Sequence, residues 1–404
     1  MDIRNTMTPA VGSDVATVYA AIELSMKSWL VAVQSVQQER PGRHQLAAHD
    51  AAGLWRLLER EAAALWAAGH GRVRVMSCYE AGRDGFWLHR FLVAKGVESQ
   101  VVDPGSVLVD RRARRAKSDR LDVEGLLRLA MRHDAGDRYL GRMVVAPSVA
   151  EEDRRRPERE RGRLLSERTA HNNRIKGLLA TQGIHGYKPL RPDRWERLAE
   201  LRGADGSALP AQLRAEIERE LERLDLAEAQ ERRLEQSRRK GLKESAAGDR
   251  VAQVVRRLMR FKGIALEGAS GLAHEVLYRD FANRRAVAGY VGLGSSPFKS
   301  GGIDRDQGIS KAGNRRARAL LIQLAWLWVR YQPQSAITKW YKAQLAGNPS
   351  RPRKRKLIVA VARRLLVALW RHVTTGEIPE GAAFKDAAAV AAADAAAAAV
   401  ELQD

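Results

Sequence analysis

The stretch VYAAIELSMKSWLVAV, from Val18 to Val33, decides the fold of the first third of the chain. Val18–Leu24 is a short apolar run carrying one acid, Glu23. Ser25-Met26-Lys27-Ser28 is a polar turn, and Trp29–Val33 is a second apolar run. Two apolar runs around a short polar turn predict a β-hairpin. Working outward, Ala51–Ala68 sets Leu54, Leu57, Leu58 and Leu65 at helical spacing, with Asp50 placed to cap the helix. Arg72–Tyr79 alternates Val73, Val75 and Cys78 with polar positions and ends at Glu80. Phe86–Lys95 reads as a helix closed by Gly96, and Val97–Val102 as another strand. A further helix is expected from Asp119 to about Arg132, capped by Ser118. Strands separated by helices imply an α/β layer with a partly parallel sheet.

The middle of the chain is different in kind. Glu151–Gln182 and Trp195–Lys240 are dense in Arg, Glu and Leu, and Leu213, Ile217, Leu221 and Leu224 form an amphipathic stripe. The Gly and Pro breakers of Gly183–Pro192 between them predict an antiparallel helical hairpin. From about Asp249 the pattern changes again. Val254–Phe261, Lys262-Gly263-Ile264 and Ser270–Val276 read as helix, Gly-containing hairpin and helix, an order that offers backbone N–H groups to a phosphate. A loop rich in Gly and Ser, Gly292–Gly313, comes next. Helices Arg315–Arg330 and Lys354–His372 follow, the second after the basic segment Arg351–Lys356. Trp326 and Trp328 are expected in the core rather than as stacking platforms. The expected domains are 15–145, 150–245 and 250–378, with a disordered Ala-rich tail over 379–404.

The chain has 404 residues, enough for two or three domains, and a formal net charge of +22 from 70 Lys+Arg against 48 Asp+Glu. A surplus this large draws polyanions, of which nucleic acid is the usual one, so affinity should fall steeply with salt. The single cysteine, Cys78, cannot form an internal disulfide and suits a reducing compartment. Ala319–Val329, the most apolar stretch, is too short to cross a bilayer. The expected location is cytoplasmic, nucleoid-associated when active, with no membrane partner.

Four acids fall where metal chemistry would need them. Glu23 and Glu80 lie at strand ends, and Asp119 and Asp122 are spaced i, i+3 on one helix, so both leave the same face. Phosphodiester cleavage with two Mg²⁺ ions needs several converging carboxylates, and hard cations prefer oxygen ligands. A strand carboxylate, a strand-end carboxylate and a helical pair match the arrangement of ribonuclease-H-like nuclease sites.

On these residues and on several motifs the chain resembles the DEDD transposases of bacterial insertion sequences, the insertion sequence 110 family, from about Tyr19 to His372. Lys117-Ser118-Asp119-Arg120-Leu121-Asp122 looks like that family's Lys-(Ser/Thr)-Asp-x-x-Asp signature. Glu80-Ala81-Gly82 stands where the family has its strand-end glutamate, and His171-Asn172-Asn173-Arg174-Ile175-Lys176 where it has Asn-Arg-(Ile/Leu)-Lys. The C-terminal block is the most specific. It comprises Ala286–Leu293, Lys299-Ser300-Gly301-Gly302 and Gly308–Arg316, then Ala360–Leu366. The resemblance implies a ribonuclease-H-like, resolvase-type N-terminal domain, a central helical coiled-coil hairpin and a mainly α C-terminal transposase domain with a helix-hairpin-helix element. It implies a recombinase that acts on donor and target DNA, guided by a structured non-coding bridge RNA and assembled as dimers and tetramers. Metal ligands then fall on Glu23, Glu80, Asp119 and Asp122. The nucleophile falls on Ser300, completing a composite site. Lys117, Arg174, Lys176, Lys311, Arg315 and Arg316 are the nucleic-acid-binding candidates.

The chain departs from the family at Glu23, where Asp is usual. Ser295, Ser296 and Ser310 share the loop with Ser300, which is preferred because two glycines follow and allow close approach to a phosphate. Two other readings use the same residues. One is a diverged relative that grips nucleic acid without cutting; the other is a resolvase-like nuclease in which water replaces the serine.

Overall fold

The structure, a computed structural model, describes residues 15–107, 119–137, 141–300, 303–346 and 350–386; the side chains of 296–300 and 303–307 are outside that description. The chain divides into two units, Met1–Ser148 and Val149–Asp404.

The first unit is built on a six-stranded sheet in the order β3-β2-β1-β4-β5-β6. The hairpin expected from Val18–Val33 is present as β1, Val15–Leu24, and β2, Ser28–Ser35, paired antiparallel with Glu23 opposite Leu30. The Ser25 hydroxyl closes its turn by accepting from the amides of Lys27 and Ser28. β3, Gly42–Ala47, extends the antiparallel side. Its sequence, GRHQLA, has no apolar run and gave no strand signal, because this edge strand buries little. α1, Ala51–Ala67, starts at Asp50, which accepts from the Gly53 amide at 2.7 Å. β4, Arg72–Glu80, then pairs parallel to β1. α2, Trp87–Ala94, ends just before Gly96, whose φ of 82° is the left-handed geometry that stops a helix. β5, Glu98–Val102, lies parallel to β4, and the two-residue β6, Met143–Val144, closes the far edge antiparallel. Between β5 and β6 comes α3, Asp119–Asp134.

Alternation along the strands sends even and odd side chains to opposite faces. Val18, Ala20 and Ile22 of β1 pack with Val73 and Val75 of β4 under Leu54, Leu58, Leu88 and Leu92 of α1 and α2. Ala21, Cys78 and Val102 face the other way and are covered by Val123, Leu126 and Leu127 of α3. Helices on both faces explain why β1 and β4 are buried through most of their lengths.

The second unit is helical apart from one hairpin. α4, Val149–Asp153, leads into α5, Arg156–Ala180. α6, Arg194–Glu200, and α7, Ala211–Glu244, follow. Ion pairs run Glu158–Arg238, Arg161–Glu231, Arg168–Glu231 and Arg174–Glu220. The partner numbers fall as the first rises, so α5 and α7 are antiparallel, as the charge-rich middle predicted. Ile175, Leu179, Ile217, Leu221 and Leu224 form the apolar seam. Trp195–Lys240 is not one helix, however. Gly203 and Gly206 turn the chain, and Pro210 precedes the new helix start.

α8, Arg250–Met259, and α9, Leu266–Leu272, form the helix–turn–helix step, with Gly263 at φ 85° between them. α9 passes into a π-helical turn, Ala273–Leu277, followed by α10, Arg284–Val291. The Gly- and Ser-rich segment read as a loop contains a β-hairpin: β7, Ser295–Ser300, pairs antiparallel with β8, Ile303–Ile309. α11, Arg315–Tyr331, α12, Ala336–Gln344, and α13, Arg351–Thr375, complete the unit. α12 had no sequence signal beyond its cap, Ser335. Trp328 is buried in the core as expected, whereas Trp326 is 46% exposed. Two residues apart on a helix point to nearly opposite sides, so only one of the pair can face the core. Phe384, in the segment read as tail, packs on Phe261 at 4.9 Å, and the Ala383 amide donates to Gln332.

Candidate functional site

Glu23 and Glu80 each lie one residue beyond the last parallel pair of β1 and β4, Ile22 with Tyr79. They therefore stand side by side on strands about 4.8 Å apart. By alternation both belong to the face covered by α3, since Ala21 and Cys78 pack there.

The direction of α3 is fixed by three contacts. The Cys78 thiol donates to the Leu126 carbonyl at 3.3 Å. At the far end, the Tyr19 hydroxyl donates to Asp134 at 2.7 Å and Arg74 donates to Asp134 at 3.1 Å. Later helix residues thus meet earlier strand residues, and α3 runs antiparallel to β1 and β4. Asp122 lies four residues before Leu126, about 6 Å along the helix. Glu80 lies two residues beyond Cys78, about 6.6 Å along the strand. Asp122 is therefore level with Glu80 and Glu23, and Asp119 stands one turn farther out. Val123, next to Asp122, is buried, while Asp119 itself is exposed.

The far end of α3 is held by a polar network. Arg74 also donates to both oxygens of Glu98, at 2.9 and 2.6 Å. Burial alone would raise the Asp134 carboxyl, but the bonds from Tyr19 and Arg74 outweigh it and hold it below the usual range. Burial and Asp134 together push the Tyr19 phenol up to about 12. The Cys78 thiol is also pushed up to about 12 by full burial, so it is a core group and not a nucleophile.

Among the described residues no three His, Cys, Asp or Glu side chains stand close enough to hold a metal ion. The fold brings Glu23, Glu80 and Asp122 to one end of one face without gathering their carboxylates. Lys117 and Ser118 lie outside the described residues.

In the second unit the backbone places Ser300 at the last pair of the β7–β8 hairpin, opposite Ile303. Both stems are built on glycines. Gly292 has φ 73°, and an added Cβ would meet the Ala312 carbonyl oxygen at 2.1 Å. Gly313 has φ 102°, and its Cβ would meet the Tyr290 carbonyl oxygen at 2.3 Å. Only glycine fits either place. Stem amides are bonded in turn: Ser310 donates to Gly294 at 2.8 Å, Lys311 to Gly292 at 3.2 Å and Asn314 to Tyr290 at 2.8 Å.

Lys311, Arg315 and Arg316 are exposed around this stem. Lys176 is exposed on α5, whereas Arg174 donates to Glu220 at 2.9 Å. Glu220 is buried and also takes His171 at 2.6 Å and Arg223 at 2.7 Å. Between Asp306 and Glu377 the sequence has no carboxylate and fifteen Lys and Arg residues. This one-sided run holds Arg351–Lys356, exposed at the start of α13 with no acid in its first turn. Cations there oppose the helix dipole, so the local fold gains nothing from them.

The matching proteins bear on the same segments. A model of the family described as Transposase IS116/IS110/IS902 family matches residues 255–340, from within α8 to α12. The putative transposase y4rJ of Sinorhizobium fredii is 44% identical over 385 residues, 93% of this chain and 96% of that protein. The chain belongs to the IS116/IS110/IS902 transposase family. A probable family 20 transposase of Pseudomonas aeruginosa is 29% identical over 258 residues, 63% of this chain and 71% of that protein. This transposase is thus an enzyme that cleaves and rejoins DNA, and its basic surplus suits that substrate. Among the described residues, no helix of the transposase is long and apolar enough to cross a membrane.

Sequence reading missed one group in the transposase. Glu275 is 4% exposed, inside the π-helical turn, and is held by Arg159 and Asn314. A lone Glu among Ala, His, Val and Leu gives no periodic signal, and its partners lie 116 and 39 residues away.

Proposed function

We propose that the transposase cuts and rejoins DNA with two sets of groups serving one reaction. Glu23, Glu80, Asp119 and Asp122 hold Mg²⁺ in a ribonuclease-H-like domain, and Ser300 is the nucleophile. The observation that carries this reading is the level standing of Glu23, Glu80 and Asp122 on one sheet face, set by the antiparallel run of α3. The mixed sheet with a helix over that face supports the ribonuclease-H-like assignment.

The donor chemistry fits the ion. Four carboxylates supply hard oxygens, and the positive end of α3 beside them lowers the cost of gathering like charges. When bound, Mg²⁺ supplies charge neutralisation at the scissile phosphate and activation of the attacking oxygen. The Ser300 hydroxyl loses its proton and bonds to phosphorus while the deoxyribose oxygen leaves and gains a proton. One phosphodiester replaces another, so rejoining by the reverse step needs no outside energy source.

A structured bridge RNA pairs with donor and target DNA in this reading, which the basic run from Lys311 to Arg371 supports. The α5–α7 hairpin joins copies into dimers and tetramers, and Leu226, 55% exposed on α7, supports a helical partner there.

The test is strand cleavage with the element's DNA, RNA and Mg²⁺. Asp119→Ala and Ser300→Ala are each expected to lose cleavage, and Ser300→Ala also to lose any trapped protein–DNA adduct. Full activity in both variants sinks the site assignment. Cleavage without an adduct in the wild type favours the water-using nuclease. Glu23 supports one competing reading, a binding protein that no longer cuts. Wild-type cleavage at a rate matched by Glu23→Asp excludes it; cleavage by the Asp form alone establishes it.

A further inference from the structure

A buried carboxylate with two polar partners is bonded to Asn314, just past the Ser300 hairpin. The Glu275 oxygens accept from Arg159 of α5 at 3.0 and 3.4 Å. Asn314 donates to Glu275 twice, at 2.9 Å to the carboxylate and 3.3 Å to its backbone carbonyl. Burial alone would raise the Glu275 carboxyl, but Arg159 and Asn314 together hold it below the usual range. One turn earlier, Arg155 donates to the His274 carbonyl at 3.1 Å and lies 4.2 Å from the centre of the Tyr278 ring. Two arginines from the start of α5 therefore clamp the π-helical turn on either side of Glu275.

Asn314 connects this clamp to the hairpin. Its side-chain oxygen caps α11 by accepting from the Ala317 amide at 3.1 Å. Its backbone amide donates to Tyr290 at the end of α10. The next residues toward the hairpin, Lys311 and Ser310, bond across the stem to Gly292 and Gly294. Hydrogen bonds thus run from α5 through Arg159, Glu275 and Asn314 to Tyr290, two residues before the first stem bond at Gly292.

Stability is a weak reason for such a group. A buried ion pair seldom contributes more than well-packed apolar residues of the same volume, whereas it does fix one geometry. π-helical turns inside regular helices cluster at functional places for the same reason. Glu275 is 4% exposed, at the edge of a groove that Arg159, Arg161, Arg163 and Arg316 also line.

We propose that Glu275 is a positioning residue that ties the helical arm α5 to the seat of the β7–β8 hairpin. Arg159 and Asn314 are its two contacts. The inference rests on the reading that this hairpin carries the nucleophile. A change in α5, such as engagement of a partner subunit, is then transmitted to the stems through the orientation of the Asn314 amide.

Glu275→Gln keeps the shape and removes the charge. Asn314→Ser keeps a capping oxygen for Ala317 and removes the amide that reaches Glu275. In the full-length protein with its DNA, RNA and Mg²⁺, each variant should lower the cleavage rate at saturating DNA by about tenfold or more. DNA affinity should change less than about twofold, a split expected of positioning without substrate contact. Amide hydrogen exchange at Ser310, Lys311 and Asn314 should quicken relative to amides in the middle of α13. The double variant should be no worse than either single, because the two act as one unit.

Wild-type cleavage in Glu275→Gln, additive losses in the double variant, or unchanged stem exchange overturns the proposal. If Glu275→Gln does not fold, Asn314→Ser carries the same three measurements. Full activity in Ser300→Ala would instead remove the nucleophile reading. The exchange result would still decide whether Glu275 seats the hairpin.

Discussion

The two units hold their candidate chemical groups by opposite means. In the first, Glu23, Glu80 and Asp122 stand at the ends of regular elements whose positions are set by apolar packing of Ala21, Cys78, Val123 and Leu126. In the second, the stems of the Ser300 hairpin are set by two positive-φ glycines and a buried charge, Glu275. Apolar layers align elements but do not choose one orientation of a polar group. A hydrogen-bonded charge does, at the cost of burying it. The carboxylate end is accordingly aligned by apolar packing alone, while the hairpin stems are held by hydrogen bonds.

The largest expected effect tests the carboxylate end. Asp122→Asn should lower metal-dependent cleavage by at least about a hundredfold while leaving the melting of the first unit unchanged. A large fall in stability with it would mean that Asp122 supports the fold, and the contrast with Glu275 would disappear. Next in size are the cores. Leu127→Ala and Leu365→Ala, both fully buried, should each cost about 2–5 kcal/mol. If the units are independently stabilised, each variant moves a different melting transition; one shared shift would break the comparison.

Acid should weaken the second unit through a buried histidine. Burial, with nearby arginines, lowers His274 to about 4 from its ordinary 6.5. The unfolded chain takes up this proton near pH 6.5 and the folded chain only near pH 4, so unfolding gains as pH falls between them. The loss should reach on the order of 3 kcal/mol by pH 4, measured as chemical denaturation against pH. His274→Gln should flatten that slope and leave the first unit untouched. Smallest of all is the effect of the exposed cations. Lys354→Ala should change stability by no more than about 0.5 kcal/mol. It should still reduce the salt slope of DNA binding by about 0.9, the share of one phosphate contact.

Much of the first unit was legible because its period-two and period-3.6 apolar patterns are local. The hairpin of Val18–Val33, the helix after Asp50 and the stop at Gly96 need only neighbouring residues to specify them. β3 and α12 were not legible, since the first is an edge strand in which only Leu46 packs against the core and the second is short. The stripe Ile217, Leu221 and Leu224 announced the α5–α7 hairpin, but its Glu220 reads as one more surface acid. Only packing against His171 and Arg174 shows it to be buried. Arg174 itself, taken from sequence as a nucleic-acid contact, already has a partner.

The sequence by itself determined most of the elements of the first unit, the basic character of the chain, the family motifs, and the four acids and the serine as candidates. The elements and charge follow from local periodicity and composition, which need no third dimension; the candidate acids and serine follow from the family resemblance. Only the tertiary structure decided that α3 runs against β1 and β4, that Asp122 comes level with Glu23 and Glu80, and that Glu275 is bonded to Asn314 at the end of the hairpin stem. The reason is physical: direction and level depend on contacts between residues up to 116 positions apart, such as Tyr19 with Asp134 and Arg159 with Glu275. Neither contact leaves a trace in the spacing of neighbours.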